Sequence, residues 1–191
     1  MIKNLTLLTL FVIISCPSIF SQDSQWANNL NSSQSFIENK GQFDGRNWDS
    51  SSEIEFAYAQ NPFYIFFSKK GLTYRFDKIV RNPNRDKSDP KSPKRTNISE
   101  LVNVEWLGSN SNVTIVSEEQ VGNYYSYAVK DFSNNTVHNE TGVKGFQKIT
   151  YKNLYNNIDV QYVIHNDGGV KYSIILHPGA DASQIKLKYS S

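Results

Sequence analysis

Residues able to act as bases, nucleophiles or metal ligands are few enough to place one by one: the chain has three histidines and a single cysteine. His138 sits in an Asn/Thr-rich stretch, while His165 and His177 flank a pair of apolar runs near the C-terminus. No His-Glu-x-x-His, Gly-x-Ser-x-Gly or Cys-x-x-Cys occurs. A zinc site needs three or four convergent ligands, and this spacing disperses the histidines, so no metal ion is assigned. Asp159 and His177 have the chemistry of two members of a hydrolytic triad. With no serine placed to complete it, the pair is expected to be a cross-strand polar contact. Asp131, Asn134, Asn135, Asp167 and Asp181 carry the loop oxygens that calcium uses, but none has EF-hand spacing, and Asp and Asn are also default turn residues. Calcium is therefore kept only as the weaker reading. No catalytic residue and no cofactor is assigned, and the chain is read as a non-enzyme.

The remaining candidates are rings and charges. Trp106 alternates with Val102 and Val104, which is a core pattern, whereas Trp26 and Trp48 lie outside clear strands. Tyr124 and Tyr125 must point to opposite faces of any strand. Trp26, Trp48 and Tyr124 are thus the rings free to form a flat platform for a glycan. Lys plus Arg number 20 against 18 for Asp plus Glu, a formal net charge of +2, which offers no broad footprint for nucleic acid. The excess is local: residues 81–95 hold six basic and two acidic residues without interleaved aromatics, as expected of a solvated loop.

The elements that must position these groups begin after a targeting segment. Lys3, the apolar run 5–14 and the small, turn-prone exit 15–21 form a signal peptide cut after Ser21, too short to span a bilayer. Cys16 admits a second reading, since Ile13-Ile14-Ser15-Cys16 resembles a lipobox that would anchor the protein through lipid at Cys16; loss with the signal peptide is preferred. No disulfide can form within one chain, so the fold must rest on its apolar core. Residues 22–35 form a Gln/Asn/Ser-rich flexible lead-in.

From residue 36 to 190 the dominant period is two. Ile54, Phe56 and Tyr58 share one face of a strand. Phe63, Ile65 and Phe67 precede Ser68-Lys69-Lys70-Gly71, then Leu72, Tyr74 and Phe76, predicting a hairpin that pairs Phe67 with Leu72, Ile65 with Tyr74 and Phe63 with Phe76. Residues 81–96, rich in proline and lysine, predict a mobile basic loop, and 131–142 a second polar interruption. Alternation returns at Val102 to Trp106, Val113 to Ile115, Tyr125 to Val129, Ile158 to Ile164, Val170 to Leu176 and Ile185 to Tyr189. A three-residue turn at Asp167-Gly168-Gly169 would set Ile164 against Tyr172, Tyr162 against Ile174 and Asp159 against His177. The expected fold is all-β: one antiparallel β-sandwich, or partly open barrel, of about nine strands spanning 36–190.

Several stretches carry a family resemblance. Phe36-Ile37-Glu38-Asn39-Lys40-Gly41-Gln42, Gly71-Leu72-Thr73-Tyr74, Gly122-Asn123-Tyr124-Tyr125 and Tyr151-Lys152-Asn153-Leu154-Tyr155 running into Ile158-Asp159 are the first four. Lys171-Tyr172 and His177-Pro178-Gly179-Ala180-Asp181 complete the set. Together they resemble an uncharacterised β-rich domain at the N-terminus of large exported bacterial proteins. Those proteins often carry SBBP propeller repeats, or the C-terminal sorting domains of type IX secretion and gliding motility in Bacteroidetes. The resemblance implies a structural role for Phe36, Glu38, Asn39, Gly41, Gly122, Tyr151, Asp159, Tyr172, Pro178 and Gly179, and further domains beyond residue 191. Two departures, no tryptophan or proline in 131–145 and Asn156 in place of a usual proline, imply differently shaped loops there.

Within Phe36–Gln42, Glu38 and Lys40 could be an acid and its partner, but Phe36 as an anchor and Gly41 as a positive-φ turn residue favour structure over chemistry. The expected function is a non-catalytic module of a secreted or cell-surface protein, active in surface assembly, adhesion or protein interaction. Its partners would be other domains of the polypeptide or surface proteins, with no nucleic acid and no transmembrane segment. The alternative is a carbohydrate-binding module of an extracellular polymer-degrading system.

Overall fold

The computed structural model describes residues 34–44, 53–131, 136–165 and 167–191. The expected signal peptide with Cys16, most of the lead-in, Trp26, Trp48, Asn134 and Asn135 lie outside the described residues.

Among the described residues the fold is all-β, as expected, and is built from ten strands. They are β1 (Phe36–Glu38), β2 (Ile54–Gln60), β3 (Phe63–Ser68), β4 (Gly71–Arg81), β5 (Arg95–Trp106), β6 (Thr114–Asp131), β7 (Thr136–Tyr155), β8 (Ile158–Ile164), β9 (Val170–Leu176) and β10 (Leu187–Ser190). All pairings are antiparallel, and the order β10-β5-β4-β3-β2-β1-β7-β8-β9 runs as one sheet that does not close into a barrel. The one helical element among the described residues is a 3-10 turn at Ala182–Gln184. No helix among them is long and apolar enough to cross a membrane.

The long strand β7 makes this one sheet into two layers. Phe146 pairs with Phe36 of β1 and with Gln120 of β6, and Lys148 pairs with Val163 of β8 and with Glu118 of β6. β6 therefore runs along one edge of β7, while β1 and then β8 follow each other along the other. The sheet divides at that point, and its two halves fold face to face over their apolar sides. Phe67 of β3 meets Tyr162 of β8 at 5.2 Å between ring centroids, and Phe36 meets Phe67 edge-on at 5.4 Å. Tyr151 of β7, fully buried, donates its hydroxyl to the carbonyl of Ser68 at 2.9 Å, so the layers are joined by a polar contact as well as by rings. Each such aromatic contributes about 1.5–3 kcal/mol by leaving water. Trp106 is in this core, as its alternation predicts.

A second, smaller core lies on the opposite face of β1 to β3. Ile37, Phe43, Ala57, Phe66 and Val143 are buried there, with Tyr125 and Tyr127 of β6 packed against them. The β2–β3 hairpin is thus covered on both faces rather than on one, because the β6–β7 pair wraps over its outside.

The β3–β4 hairpin has the predicted register, Phe67 with Leu72, Ile65 with Tyr74 and Phe63 with Phe76. The last hairpin does not. Ile164 pairs with Val170, Tyr162 with Tyr172 and Val160 with Ile174, a slip of two residues from the expected pairing. The turn lies one residue earlier than expected: His165 donates to the carbonyl of Gly169 at 3.0 Å, closing the loop over positions 166–168 instead of 167–169, and Gly168 and Gly169 both take positive φ, 92° and 84°. A two-residue slip leaves every side chain on its original face, so the apolar pattern alone could not distinguish the two registers.

Two polar stretches also differ from expectation. Residues 136–142, read as an interruption, belong to β7 and pair with β6, and the runs at 113–115 and 125–129 fall within or beside one strand, β6. The basic loop is shorter than 81–96, since Arg81 pairs with Arg95 and Val80 with Thr96 at the end of the β4–β5 ladder.

Candidate functional site

The Phe36–Gln42 motif is a self-capping turn. Asn39 Oδ1 accepts from the backbone N–H of Gly41 at 3.0 Å and of Phe43 at 3.2 Å, and its amide donates to Asp44 Oδ1 and the carbonyl of Ile54. Gln42, almost wholly buried, accepts from the N–H of Lys40 at 2.7 Å and donates to the carbonyl of Glu38 at 2.6 Å. Glu38 accepts from the backbone N–H of Lys144 at 2.8 Å and lies 3.3 Å from Lys40. Gly41 takes φ 106°, the left-handed region that favours glycine. Every polar group here is occupied in holding β1 between β2 and β7.

Asp159 is the most connected carboxylate. It is buried on β8 and accepts from the N–H of Asn153 at 2.8 Å and from Lys152 Nζ at 2.9 Å, with His177 Nε2 at 3.1 Å. His177 reaches it diagonally, because the residue directly opposite Asp159 is Ile175. Burial pushes the carboxyl upward, and the Asn153, Lys152 and His177 contacts outweigh it, holding the pKa below the ordinary carboxylate value. Such a group stays ionised and structural, fixing Asn153 at φ 52° within β7, where its register against β8 shifts between Tyr151 and Tyr155. His138 lies 3.4 Å from Glu140, and His165 lies 3.4 Å from Asp167. Each histidine thus has its own carboxylate on a separate element, and among the described residues no group of three or more His, Cys, Asp or Glu could hold a metal ion. Asp181 caps the 3-10 turn by accepting from the N–H of Ser183, which accounts for its oxygen.

Two adjoining clefts share Asn110 and Ser111. One, about 530 Å³, is lined by Glu53, Glu55, Lys69, Lys70, Glu105 and Trp106. Lys69 lies 3.3 Å from Glu55 and Lys188 lies 3.8 Å from Glu105, so its charges are largely compensated. The other, about 560 Å³, is bordered by Asn112, Asn153, Asn156 and Asn157, a neutral amide lining.

Of the ring candidates, Tyr124 is exposed on β6, while Tyr125 turns inward and its hydroxyl meets Ser35 Oγ at 2.6 Å. Gly122 is in open space, within the bulge between Gln120 and Tyr124. Gly179 takes φ 83° in the turn after Pro178, where Ala180 donates to the carbonyl of His177.

The feature that sequence reading missed is an uncovered part of the inner face. Tyr162 is buried in the core, yet its neighbour Tyr172 on β9, whose ring centroid is 5.9 Å away, is 58% exposed. Ile174 and Leu176 on the same face are 38% and 54% exposed, and Tyr189 on β10 is 66% exposed. Tyr74 of β4 lies between them: burial raises its phenol pKa, and the nearby Tyr189 and Tyr172 raise it further. Among the described residues β9 and β10 end the strand order on opposite sides with no further strand beside them, so these residues form an apolar mouth between two strand edges. The alternation that identified β9 as a strand is the same signal that put these side chains inside.

The model of a family described as a domain of unknown function, DUF7948, matches residues 36–191. The chain belongs to this family. Comparison with curated proteins and with solved structures gives no match. The DUF7948 match begins at Phe36, the first residue of β1, and covers all ten strands. The self-capped turn, the Asp159 cluster and the apolar mouth are therefore all parts of the DUF7948 domain.

Proposed function

We propose that this domain is a non-catalytic protein-interaction module of an exported or cell-surface bacterial protein, acting in surface assembly or adhesion. The observation that supports the reading is the apolar mouth of Tyr172, Ile174, Leu176 and Tyr189, large side chains on a core face left in water. The partitioned carboxylates and histidines add weight, since each is occupied by a structural contact. The sequence feature that supports export is the apolar run at residues 5–14, preceded by Lys3. The resemblance to the N-terminal domain of proteins with SBBP repeats or type IX sorting domains is the support for proposing a role in a gliding or surface machinery of the Bacteroidetes kind. A photo-crosslinking residue at position 172 or 176, activated on intact producing cells, is expected to give discrete protein adducts. Adducts absent there but present at a control position on β6 would refute the reading. Mass spectrometry of the mature N-terminus separates Gln22 as first residue from a lipidated Cys16.

A carbohydrate-binding role has one observation in its favour, the two adjoining clefts with amide and hydroxyl linings. Binding on a glycan array that Asn156→Ala abolishes would establish it; a blank array would remove it.

A further inference from the structure

Among the described residues, β9 differs from the free edges of β6 and β10 in being undefended. Natural sheets protect their edges with bulges, short strands and charge. Among the described residues β6 has a free edge too, but its register shifts between Gln120 and Tyr124 and again between Tyr125 and Tyr127. β10 has four residues. β9 keeps unbroken register with β8 over all seven of its residues and carries one charge, Lys171.

In an antiparallel pair, alternate residues exchange both backbone bonds with the strand opposite. His177 donates to the carbonyl of Asn157 and His165 to that of Gly169, so Lys171, Ser173 and Ile175 bond to β8. The N–H and C=O groups of Val170, Tyr172, Ile174 and Leu176 then point to the free edge. These are the residues whose side chains form the mouth, so one segment laid along β9 would satisfy their backbones and cover their side chains together.

The outer face supplies the charge rule. Glu118, Lys148, Val163 and Lys171 form a row across β6, β7, β8 and β9. Lys148 is paired with Glu119, whereas Lys171 has no ion-pair partner among the described residues, and no acidic residue occurs in β9. A second copy of the chain would not supply one. Pairing β9 with itself about Ser173 sets Lys171 against Ile175, and pairing about Ile174 sets it against His177.

We infer that the free edge of β9 takes up an extended polypeptide segment as an added strand, one that alternates apolar residues over Tyr172, Ile174 and Leu176 with an acidic residue beside Lys171. This deepens the protein-interaction reading and rests on it. Main-chain bonds would give the affinity and the alternating side chains the selectivity.

The probes are two capped eight-residue peptides, one alternating valine with glutamate and the other valine with lysine, titrated into the isotopically labelled protein and followed by NMR. The valine/glutamate peptide is expected to shift and protect the amides of Tyr172, Ile174 and Leu176 and to bind about fivefold more tightly than the valine/lysine peptide, in line with a cross-strand charge pair. Lys171→Glu, at an exposed position, is expected to reverse the order without changing the urea midpoint. Equal binding with the same amides protected would overturn the acidic-partner inference and leave the docking face standing. No effect on β9 from either peptide would overturn the added strand, with the crosslinking experiment deciding separately whether the face binds protein at all. A concentration-dependent dimer that Leu176→Glu disperses would overturn it by making a second copy the occupant.

Discussion

Gly71 begins β4 with its backbone hard against β5, and replacing it should be far more costly than its place at a hairpin end suggests. A Cβ built there would lie 2.0 Å from the carbonyl oxygen of Val104, 3.0 Å from that carbonyl's carbon and 3.1 Å from the Cα of Glu105. All three are backbone atoms, so no side chain can swing aside. Gly71→Ala must push the strands apart by more than an ångström at the Gly71–Glu105 pair. The adjacent Leu72–Val104 pair is in the main core, and the Gly71 carbonyl lies 3.4 Å from the Tyr151 hydroxyl. Overpacking costs about 1–3 kcal/mol, and one or two disturbed backbone bonds add about 1 kcal/mol each. The sum is roughly 2–5 kcal/mol, to be read as a lower urea midpoint with unchanged slope. Gly122→Ala is the control, because nothing lies within 4 Å of its added carbon and its φ is not positive; it should shift stability by no more than about 0.5 kcal/mol. Equal midpoints for Gly71→Ala and Gly122→Ala would refute the close approach of β4 and β5 and the register built on it.

Further outcomes follow from the polar contacts. Tyr151→Phe removes the buried hydroxyl's bonds to the Ser68 and Gly71 carbonyls and should cost about 1 kcal/mol in urea unfolding. Asp159→Ala leaves the Asn153 N–H without its carboxylate and should cost about 1.5–3 kcal/mol, measured the same way. Because the folded Asp159 carboxyl titrates below its ordinary value, its contribution is complete above about pH 4 and disappears as pH falls through the folded pKa, so a midpoint measured against pH should fall on the acid side. Asp159→Asn should flatten that fall in part only. Asp77 contributes in the same direction, held low first by the Arg75 hydrogen bond, against burial, with Ser99 adding to it.

Legibility in the sequence followed solvation. β3 and β4 were readable with their register because one face of the hairpin enters the main core, and Phe63, Ile65 and Phe67 announce it. β7, the longest strand, is not legible as a strand: 131–142 reads as an interruption, and no strand is assigned between 143 and 155. Its first part pairs with β6 outside the core and is exposed on both faces, so Thr136 to Glu140 carry no period of two. β1 is three residues long, below any periodic signal, though its anchor Phe36 and the Gly41 turn were both recognisable. The β8–β9 slip of two was invisible for the opposite reason, since both registers bury the same residues. The contact of His177 with Asp159 survived the slip because diagonal neighbours remain in reach. The uncovered mouth had no sequence signature, since alternation reports which face a side chain takes and not whether another layer covers it.

Amide hydrogen exchange across β9 in the free protein tests the central claim most directly, because it reads the open edge residue by residue. The account predicts fast exchange at Tyr172, Ile174 and Leu176, alternating with protection at Ser173 and Ile175. Uniform protection from Val170 to Leu176 in a monomer would contradict it, showing that β9 is already paired and that the mouth is closed.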